Sequence, residues 1–211
     1  MGVSVVVPAY NEAGRIGAVL RPVISSPSVD EIIVVDDGSD DGTTEEASRY
    51  PVHLICLPEN RGKAAALDAG VSEARNDTFL FLDADLVGLT TEHVDRLIAA
   101  HRDGDLDMAI GVFSNGRGRT DFAQKINPYA SGQRVLSREV WERAKENVKE
   151  MDYGIEFALS KLAAKEGWRK THVKLDGVTH VLKEEKRGFT RGMLDRMKMY
   201  GDMIKWLFKK I

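Results

Sequence analysis

The N-terminal half of the chain alternates short apolar runs with stretches of helical character, and most of the runs end at an aspartate or a proline. Strands that alternate with helices build a mostly parallel sheet, covered by helices on both faces and joined by right-handed crossovers. The pattern therefore predicts an α/β fold. The apolar runs are residues 3–7, 31–35, 52–57, 79–82 and 107–112, and the helical stretches are residues 12–25, 43–50, 61–75 and 91–102.

Four polar motifs lie where these predicted strands end or the following helices begin. In open α/β sheets, ligands bind outside the carboxyl ends of the strands. We therefore expect the four motifs to meet at one edge of the sheet. They are Asn11-Glu12, Asp36-Asp37, Asn60-Arg61-Gly62-Lys63 and Asp83-x-Asp85.

Two aspartates, Asp83 and Asp85, directly follow the apolar run at residues 79–82. Two carboxylates at the mouth of a buried strand are costly to bury unless they meet a cation or open water. Carboxylate oxygens suit Mg²⁺ or Mn²⁺, and such metals commonly share their ligand shell with substrate phosphates. The pair favours a metal that holds a diphosphate, and a solvated acidic turn is the alternative for so short a pattern.

Four motifs follow one another in the first 85 residues: VVVPAYNE at 5–12, VVDDGSDDGT at 34–43, NRGKAAAL at 60–67 and LDAD at 82–85. Their order and content resemble the family 2 glycosyltransferases of the GT-A fold. The resemblance implies a nucleoside-diphosphate sugar as the donor, either a UDP-sugar or a GDP-sugar. It also implies a divalent cation, Mg²⁺ or Mn²⁺, as the cofactor.

The resemblance assigns the first two motifs to the nucleoside. The loop at residues 8–12 is expected to contact it directly. An acid at Asp36 or Asp37 can accept a hydrogen bond from a nucleobase N–H. A capping or turn role before Gly38 is the alternative for Asp37.

The third motif is expected to face the donor phosphates. Arg61 and Lys63 bring positive charge, and Gly62 allows close backbone approach at the start of a helix, whose amides favour anions. An ordinary solvated first-turn lysine is the alternative for Lys63. The residues that the resemblance assigns to the donor are Pro8, Tyr10, Asn11, Glu12, Asp37, Arg61, Gly62, Lys63, Asp83 and Ala84.

The resemblance also implies a set of metal ligands. Asp85 is expected to be the main ligand, and Asp83 to touch the ribose, or the metal through water. Relatives often complete the metal shell with a histidine from the region of His180, so His180 is the expected third ligand. A structural or exposed histidine is the alternative.

The second half is expected to carry the acceptor chemistry. Residues 131–139 resemble the segment that follows the metal site in the family. Glu156 or Asp152 is the candidate general base, because either acid can take a proton from an acceptor hydroxyl. The alternative for Glu156 is a first-turn helix acid, favoured there by the helix dipole.

Several cations of this half are candidates for binding anions. Arg187, with Lys186, lies where family members that use a polyprenyl phosphate have a basic loop, and it is expected to stabilise the leaving nucleoside diphosphate. Arg117, Arg119 and Arg134 are expected to hold an anionic acceptor together with Lys186, because a guanidinium binds phosphate in a fork.

The last 22 residues have the pattern of a basic amphipathic helix. From 190 to 211 the apolar residues recur at helical spacing, and six lysines or arginines flank them. Such a helix, with Trp206 and Phe208 near its end, suits an anionic membrane surface. Packing against the domain, or against a second subunit of a homodimer, is the alternative.

Composition limits the remaining possibilities. A formal net charge of -3 argues against a nucleic-acid partner. The single cysteine, Cys56, cannot form an intrachain disulfide and is expected to be a small buried hydrophobe. Since no stretch is apolar for the roughly 18–20 residues of a membrane span, and no signal peptide is seen, we expect a cytoplasmic protein, peripheral at the inner membrane face if the terminal helix binds lipid.

These observations predict a metal-dependent glycosyltransferase, similar within the family to polyprenyl-phosphate sugar transferases and glucosyl phosphoglycerate synthases. The expected GT-A domain covers residues 1–189, with a nucleotide-sugar half at 1–112 and an acceptor half at 113–189, and the amphipathic helix covers 190–211. Two alternatives remain open: a nucleotidyltransferase of the same fold and a sugar-nucleotide-binding protein without turnover.

Overall fold

The computed structural model describes residues 2–113, 131–149 and 155–180, with the backbone alone at 146–149. The strands of the described part are β1 (Val3–Ala9), β2 (Glu31–Asp36), β3 (His53–Cys56), β4 (Thr78–Phe81), β5 (Leu86–Val87), β6 (Met108–Phe113), β7 (Arg134–Ser137), β8 (Lys170–Leu175) and β9 (Thr179–His180). Its helices are α1 (Ile16–Ile24), α2 (Thr43–Ala47), α3 (Lys63–Glu73), α4 (Thr91–Asp103), α5 (Arg138–Lys149) and α6 (Ile155–Glu166).

Seven of these strands form one sheet in the order β3-β2-β1-β4-β7-β6-β8, and β5 pairs with β9 separately. Every neighbouring pair in the large sheet is parallel except the two that involve β7, which runs antiparallel to β4 and to β6. The mostly parallel α/β fold that the sequence predicts is confirmed. The five strand predictions of the N-terminal half are each confirmed to within a residue or two at their ends.

The sheet separates two apolar layers. Along β1, Val5 and Val7 face one layer and Val6 faces the other, because successive side chains of a strand point to opposite sides. The first layer packs the sheet against α1 and α4, and the second packs it against α3, α5 and α6. Trp141, which is fully buried, meets Phe81 edge-on with ring centroids 5.2 Å apart.

The parallel register aligns the carboxyl ends of the central strands. Ala9 at the end of β1 lies opposite Asp36 at the end of β2, which in turn lies opposite Cys56 at the end of β3. The loops that carry the polar motifs therefore leave the sheet at one edge.

Two details differ from the sequence expectation. The first helix begins at Ile16 rather than near Glu12, because Asn11 adopts a positive φ of 56° and residues 13–15 form a turn. Cys56 is exposed rather than buried. It closes β3, the edge strand of the sheet, whose residues are covered less than those of the central strands.

Strand β7, from the predicted acceptor half, lies between β4 and β6 of the predicted nucleotide-sugar half. The two halves therefore share one sheet. Among the described residues, no helix is both long and apolar enough to cross a membrane. The amphipathic helix predicted at 190–211 lies outside the described part of the chain.

Candidate active site

A chain of ion pairs lies at the carboxyl edge of the sheet. Asp83 follows β4, Lys63 opens α3, and Glu156 lies in the first turn of α6. Lys63 Nζ is 2.5 Å from Asp83 Oδ1 and 2.6 Å from Glu156 Oε1. The ammonium group thus bridges an acid of the predicted metal site and the predicted general base.

Burial and charge act in opposite directions on this cluster. Burial alone would lower the pKa of Lys63, but the neighbouring carboxylates of Asp83 and Glu156 outweigh it and raise that pKa. Burial would raise the pKa of Asp83, but Lys63 and then His180 hold it below its usual value. Both groups are therefore charged at neutral pH, and they stabilise each other in a partly dry environment.

Asp85 and His180 form the second part of the site. The pairing of β5 with β9 sets His180 opposite Leu86, which directly follows Asp85. His180 Nδ1 lies 3.0 Å from Asp85 Oδ1, and its Nε2 lies 3.8 Å from Asp83 Oδ2. Burial would lower the pKa of His180, but the hydrogen bond to Asp85 and the charge of Asp83 raise it.

The donor set of these three side chains fits a divalent cation. Asp83, Asp85 and His180 each offer one ligand atom, and the three atoms lie within 4.8 Å of one another. Two carboxylates and an imidazole suit Mn²⁺, and carboxylate oxygens suit Mg²⁺. The structure thus brings together the three residues that the sequence predicts as metal ligands.

Gln133 also reaches this site, although the sequence pattern did not single it out. Its side-chain Nε2 donates a hydrogen bond to Asp83 Oδ2 over 2.8 Å. The neighbouring Gly132 packs so closely that a Cβ atom there would lie 2.6 Å from Lys63 Nζ and 2.7 Å from Asp83 Oδ2. The only available sequence signal was that both residues belong to the segment that resembles the family.

The first two loops brace each other. The backbone N–H of Asn11 donates to Ser39 Oγ over 2.9 Å, and the N–H of Glu12 donates to Thr43 Oγ1 over 2.8 Å. Asn11 Oδ1 accepts from the N–H of Asp40. Pro8, Tyr10 and Ala84 lie at the same edge of the sheet, and the nucleoside contacts of this loop stay predictions.

Asp37 joins the second loop to the third. It is buried, and its two carboxylate oxygens accept hydrogen bonds from the backbone N–H groups of Arg61 and Gly62, each over 2.8 Å. These bonds give Asp37 a structural part, which is to fix the loop that precedes Lys63. The nucleobase contact of Asp37 stays a prediction.

The prediction that Arg134 binds an acceptor is corrected by its surroundings. The side chain is buried at 1% exposure, and burial lowers its pKa to about 10. Its guanidinium donates to the backbone oxygens of Ser131 and Glu156 and to Ser160 Oγ. The N–H groups of Arg134 therefore hold α6 against the sheet. Arg134 has a structural role in the interior and is not exposed to bind a phosphate from solvent.

The other predicted acceptor and catalytic residues lie outside the described part of the chain. These are Arg117, Arg119, Asp152, Lys186 and Arg187.

Comparison with solved structures supports the fold assignment. Glucosyl-3-phosphoglycerate synthase from Mycobacterium tuberculosis, in a complex with Mn²⁺, UDP and glucosyl-3-phosphoglycerate, superposes with a TM-score of 0.68 at 24% identity. The match covers 85% of this chain and 72% of that one. It confirms the predicted GT-A fold class.

Two relatives found by sequence match this chain over only part of their own length. Dolichol-phosphate mannosyltransferase from Pyrococcus furiosus is 38% identical over 117 residues, which are 53% of this chain and 33% of the relative. Glycosyltransferase AglD from Haloferax volcanii is 26% identical over 204 residues, which are 82% of this chain and 32% of the relative. The chain thus spans about a third of the length of these two relatives.

The family model described as glycosyl transferase family 2 matches residues 4–162. That range holds each loop of the carboxyl edge described above, together with Gln133 and Glu156. Because the match extends over most of the 211 residues, the chain belongs to glycosyl transferase family 2.

Proposed function

We propose that the chain transfers a sugar from a nucleoside diphosphate, bound with Mn²⁺ or Mg²⁺, to the phosphate of a lipid acceptor. The observation that carries the proposal is the cluster of Asp83, Asp85 and His180, which lies beside Lys63 and Glu156 at the ligand-binding edge of the sheet. The family match favours sugar transfer over the alternative of a nucleotidyltransferase.

Asp85 and His180 would hold the metal, and Asp83 would complete its shell or hold the ribose. When bound, the cation would neutralise the negative charge that develops on the diphosphate as its bond to the sugar breaks. Lys63 lies next to this position, where its ion pairs with Asp83 and Glu156 hold both carboxylates in place. These residues thus bind and orient the donor and form no covalent bond to it.

A phosphate acceptor is proposed because the Pyrococcus furiosus relative is a dolichol-phosphate mannosyltransferase. A phosphate oxygen is already an anion and attacks without losing a proton, whereas a hydroxyl needs a general base. For a phosphate acceptor, the proposed part of Glu156 is to hold Lys63 in place. Arg117, Arg119, Lys186 and Arg187 stay candidates for contacts to the acceptor or the leaving group.

The test compares donor binding and turnover in the wild type and in Asp85→Asn. Thermal shift and transfer are measured with UDP- and GDP-sugars, in Mn²⁺, in Mg²⁺ and in EDTA. We expect the wild type to gain stability only with metal and donor together, because a ligand that binds the folded state raises its apparent stability. The variant should lose at least about 100-fold in metal-dependent binding, the upper end of what loss of an outer-shell partner costs.

Asp103→Asn is the matched control, since this exposed aspartate at the end of α4 lies away from the site. Equal donor binding by folded wild type and folded Asp85→Asn, with and without EDTA, would refute the proposed metal site. Metal-dependent binding without transfer to any acceptor would leave the chain as a binding protein.

A further inference from the structure

The segment of residues 131–133 reaches the site because of the direction of β7. Phe81 at the end of β4 lies opposite Arg134 at the start of β7, and the two strands are antiparallel. The residue just before β7 therefore lies beside the residues just after β4. Gln133 is brought next to Asp83 in this way, although 50 positions separate them in sequence.

Gln133 and Lys63 each contact a different oxygen of the Asp83 carboxylate. Gln133 Nε2 donates to Oδ2 over 2.8 Å, and Lys63 Nζ lies 2.5 Å from Oδ1. Each oxygen therefore faces a fixed donor. Gln133 itself is fully buried, so its amide is held away from water and has few alternative partners.

Ser131 lies beside the amide oxygen of Gln133. Ionised Asp83 can only accept a hydrogen bond, so the amide nitrogen must face it and the amide oxygen must face away. That oxygen, Gln133 Oε1, lies 2.9 Å from Ser131 Oγ, whose single O–H can donate either to it or to the backbone oxygen of Gly111. Ser131 is itself buried and does not contact Asp83, so its influence on the site runs through Gln133.

The oxygen that Gln133 holds is also the one that faces His180. His180 Nε2 lies 3.8 Å from Asp83 Oδ2. The amide hydrogen bond thus holds the Asp83 oxygen that faces His180, another member of the candidate metal cluster. Partners of this kind, which orient a ligating carboxylate, commonly govern metal affinity.

We propose that Gln133, oriented by Ser131, is the positioning residue that fixes the Asp83 carboxylate for the metal and donor. The proposal rests on the proposed function and adds two residues to it. It makes a directional claim: Ser131 acts on the site only through Gln133.

The test is a double-mutant cycle on the full chain, with Mn²⁺ as the probe. Gln133→Met keeps a similar volume but removes the amide donor, and Ser131→Ala removes the hydroxyl that orients it. Mn²⁺ affinity is measured by electron paramagnetic resonance of the free ion, donor KM and kcat by transfer assay, and folding by melting temperature. Ser72→Ala, at an exposed serine of α3, is the matched control.

We expect Gln133→Met to weaken Mn²⁺ binding by about 10–100-fold and Ser131→Ala by a smaller factor. The double variant should be no weaker than Gln133→Met alone, because residues that act through one contact are not additive. The KM for the donor should rise in both single variants, and both should still unfold cooperatively, at a melting temperature lowered by the lost buried hydrogen bond.

Unchanged Mn²⁺ affinity in a folded Gln133→Met, or additive losses in the double variant, would overturn the proposal. If Gln133→Met does not fold, Ser131→Ala decides alone: reduced Mn²⁺ affinity supports the proposal and unchanged affinity refutes it. Failure of the wild type to bind Mn²⁺, with or without the donor, would instead refute the proposed metal site, so the two failures are distinguishable.

Discussion

The Glu156 carboxylate lies 2.6 Å from Lys63 Nζ, and Glu156→Gln removes its charge while it keeps the shape of the side chain. For a lipid phosphate acceptor we expect kcat to fall by less than about tenfold, because no proton has to be removed. A general base commonly contributes about 10²–10⁴-fold. The measurement is the transfer rate to a polyprenyl phosphate and to the corresponding polyprenol.

Glu139→Gln is the control, since Glu139 is also a first-turn helix acid but is exposed. A loss of more than about 100-fold with the phosphate acceptor would assign Glu156 the part of a general base. It would then favour a hydroxyl as the natural acceptor.

Gly132 is a second residue whose size matters to the site. In Gly132→Ala the new Cβ would lie 2.6 Å from Lys63 Nζ and 2.8 Å from Asp83 Oδ1, so this ion pair must shift. We expect weaker Mn²⁺-dependent donor binding, by about tenfold, as for loss of an outer-shell partner. The loss of stability should stay within the roughly 1–3 kcal/mol of a tolerated overpacked site.

Gly2→Ala provides the comparison. Its Cβ would meet the Asn76 side chain, and Gly2 precedes β1 at the opposite edge of the sheet. Donor titrations of the two variants in Mn²⁺ should therefore differ, and equal donor affinity in both would contradict the expectation.

Among the elements, β1, β2 and the turn after α3 are joined by one carboxylate. Glu31 at the start of β2 accepts from Ser4 Oγ over 2.6 Å and from the backbone N and side-chain Nε of Arg75 over 2.9 and 2.8 Å. Burial would raise the pKa of Glu31, but these hydrogen bonds hold it below its usual value of 4.5. Ionised Glu31 therefore stabilises the folded state.

We expect Glu31→Gln to lower the free energy of unfolding at pH 7 by about 1.5–3 kcal/mol, the size of a hydrogen bond to a charged group. A lowered folded pKa means that the contribution is present above pH 4.5 and is lost as the pH falls through the folded value. Urea unfolding at pH 7 and below pH 4.5 tests this, with exposed Glu73→Gln as the control. A gap between wild type and variant that stays constant with pH would contradict the assignment.

Elements with a strong pattern were predicted well from the sequence, and those with long-range causes were not. The central strands are apolar runs buried on both faces, which is a local signal. The strand β7 has only four residues and begins at a buried arginine, so neither its presence nor its antiparallel direction follows from its sequence. The late start of α1 depends on the positive φ of Asn11 and on bonds to a loop 28 residues away.

The site shows the same limit. Asp83, Asp85 and His180 were predicted together because the motif resemblance supplied the third member. Lys63 was expected at phosphates, yet it bridges to an acid 93 positions away, a distance at which the sequence gives no pairing signal. Gln133 was missed because a polar residue before a short strand is indistinguishable from a loop residue until the fold buries it.

For the whole molecule, the predicted membrane contact involves residues 190–211, which lie outside the described part of the chain. We propose that this basic amphipathic segment binds anionic membranes. Each nearby lysine or arginine contributes about 1 kcal/mol, which salt screens, and burial of the apolar residues adds a contribution that salt does not screen. Co-sedimentation with anionic vesicles at low and high salt should therefore be partly salt-resistant.

Deletion of residues 203–211 should release the protein from the vesicles while donor hydrolysis remains measurable. Neutral vesicles are the control for the electrostatic part. If the full chain stays in the supernatant, and the deletion instead breaks a dimer or lowers the melting temperature, the segment packs against protein.

The position of β7 also bears on how the chain is made. While residues up to Phe113 have been synthesised and those of β7 and β8 have not, β4 has one partner strand, β1, and β6 has none. Strands with unpaired edges are templates for association with other chains, and both of these are almost entirely apolar. These edges are covered in two steps: Arg134–Ser137 inserts between β4 and β6, and β8 then pairs with the remaining edge of β6.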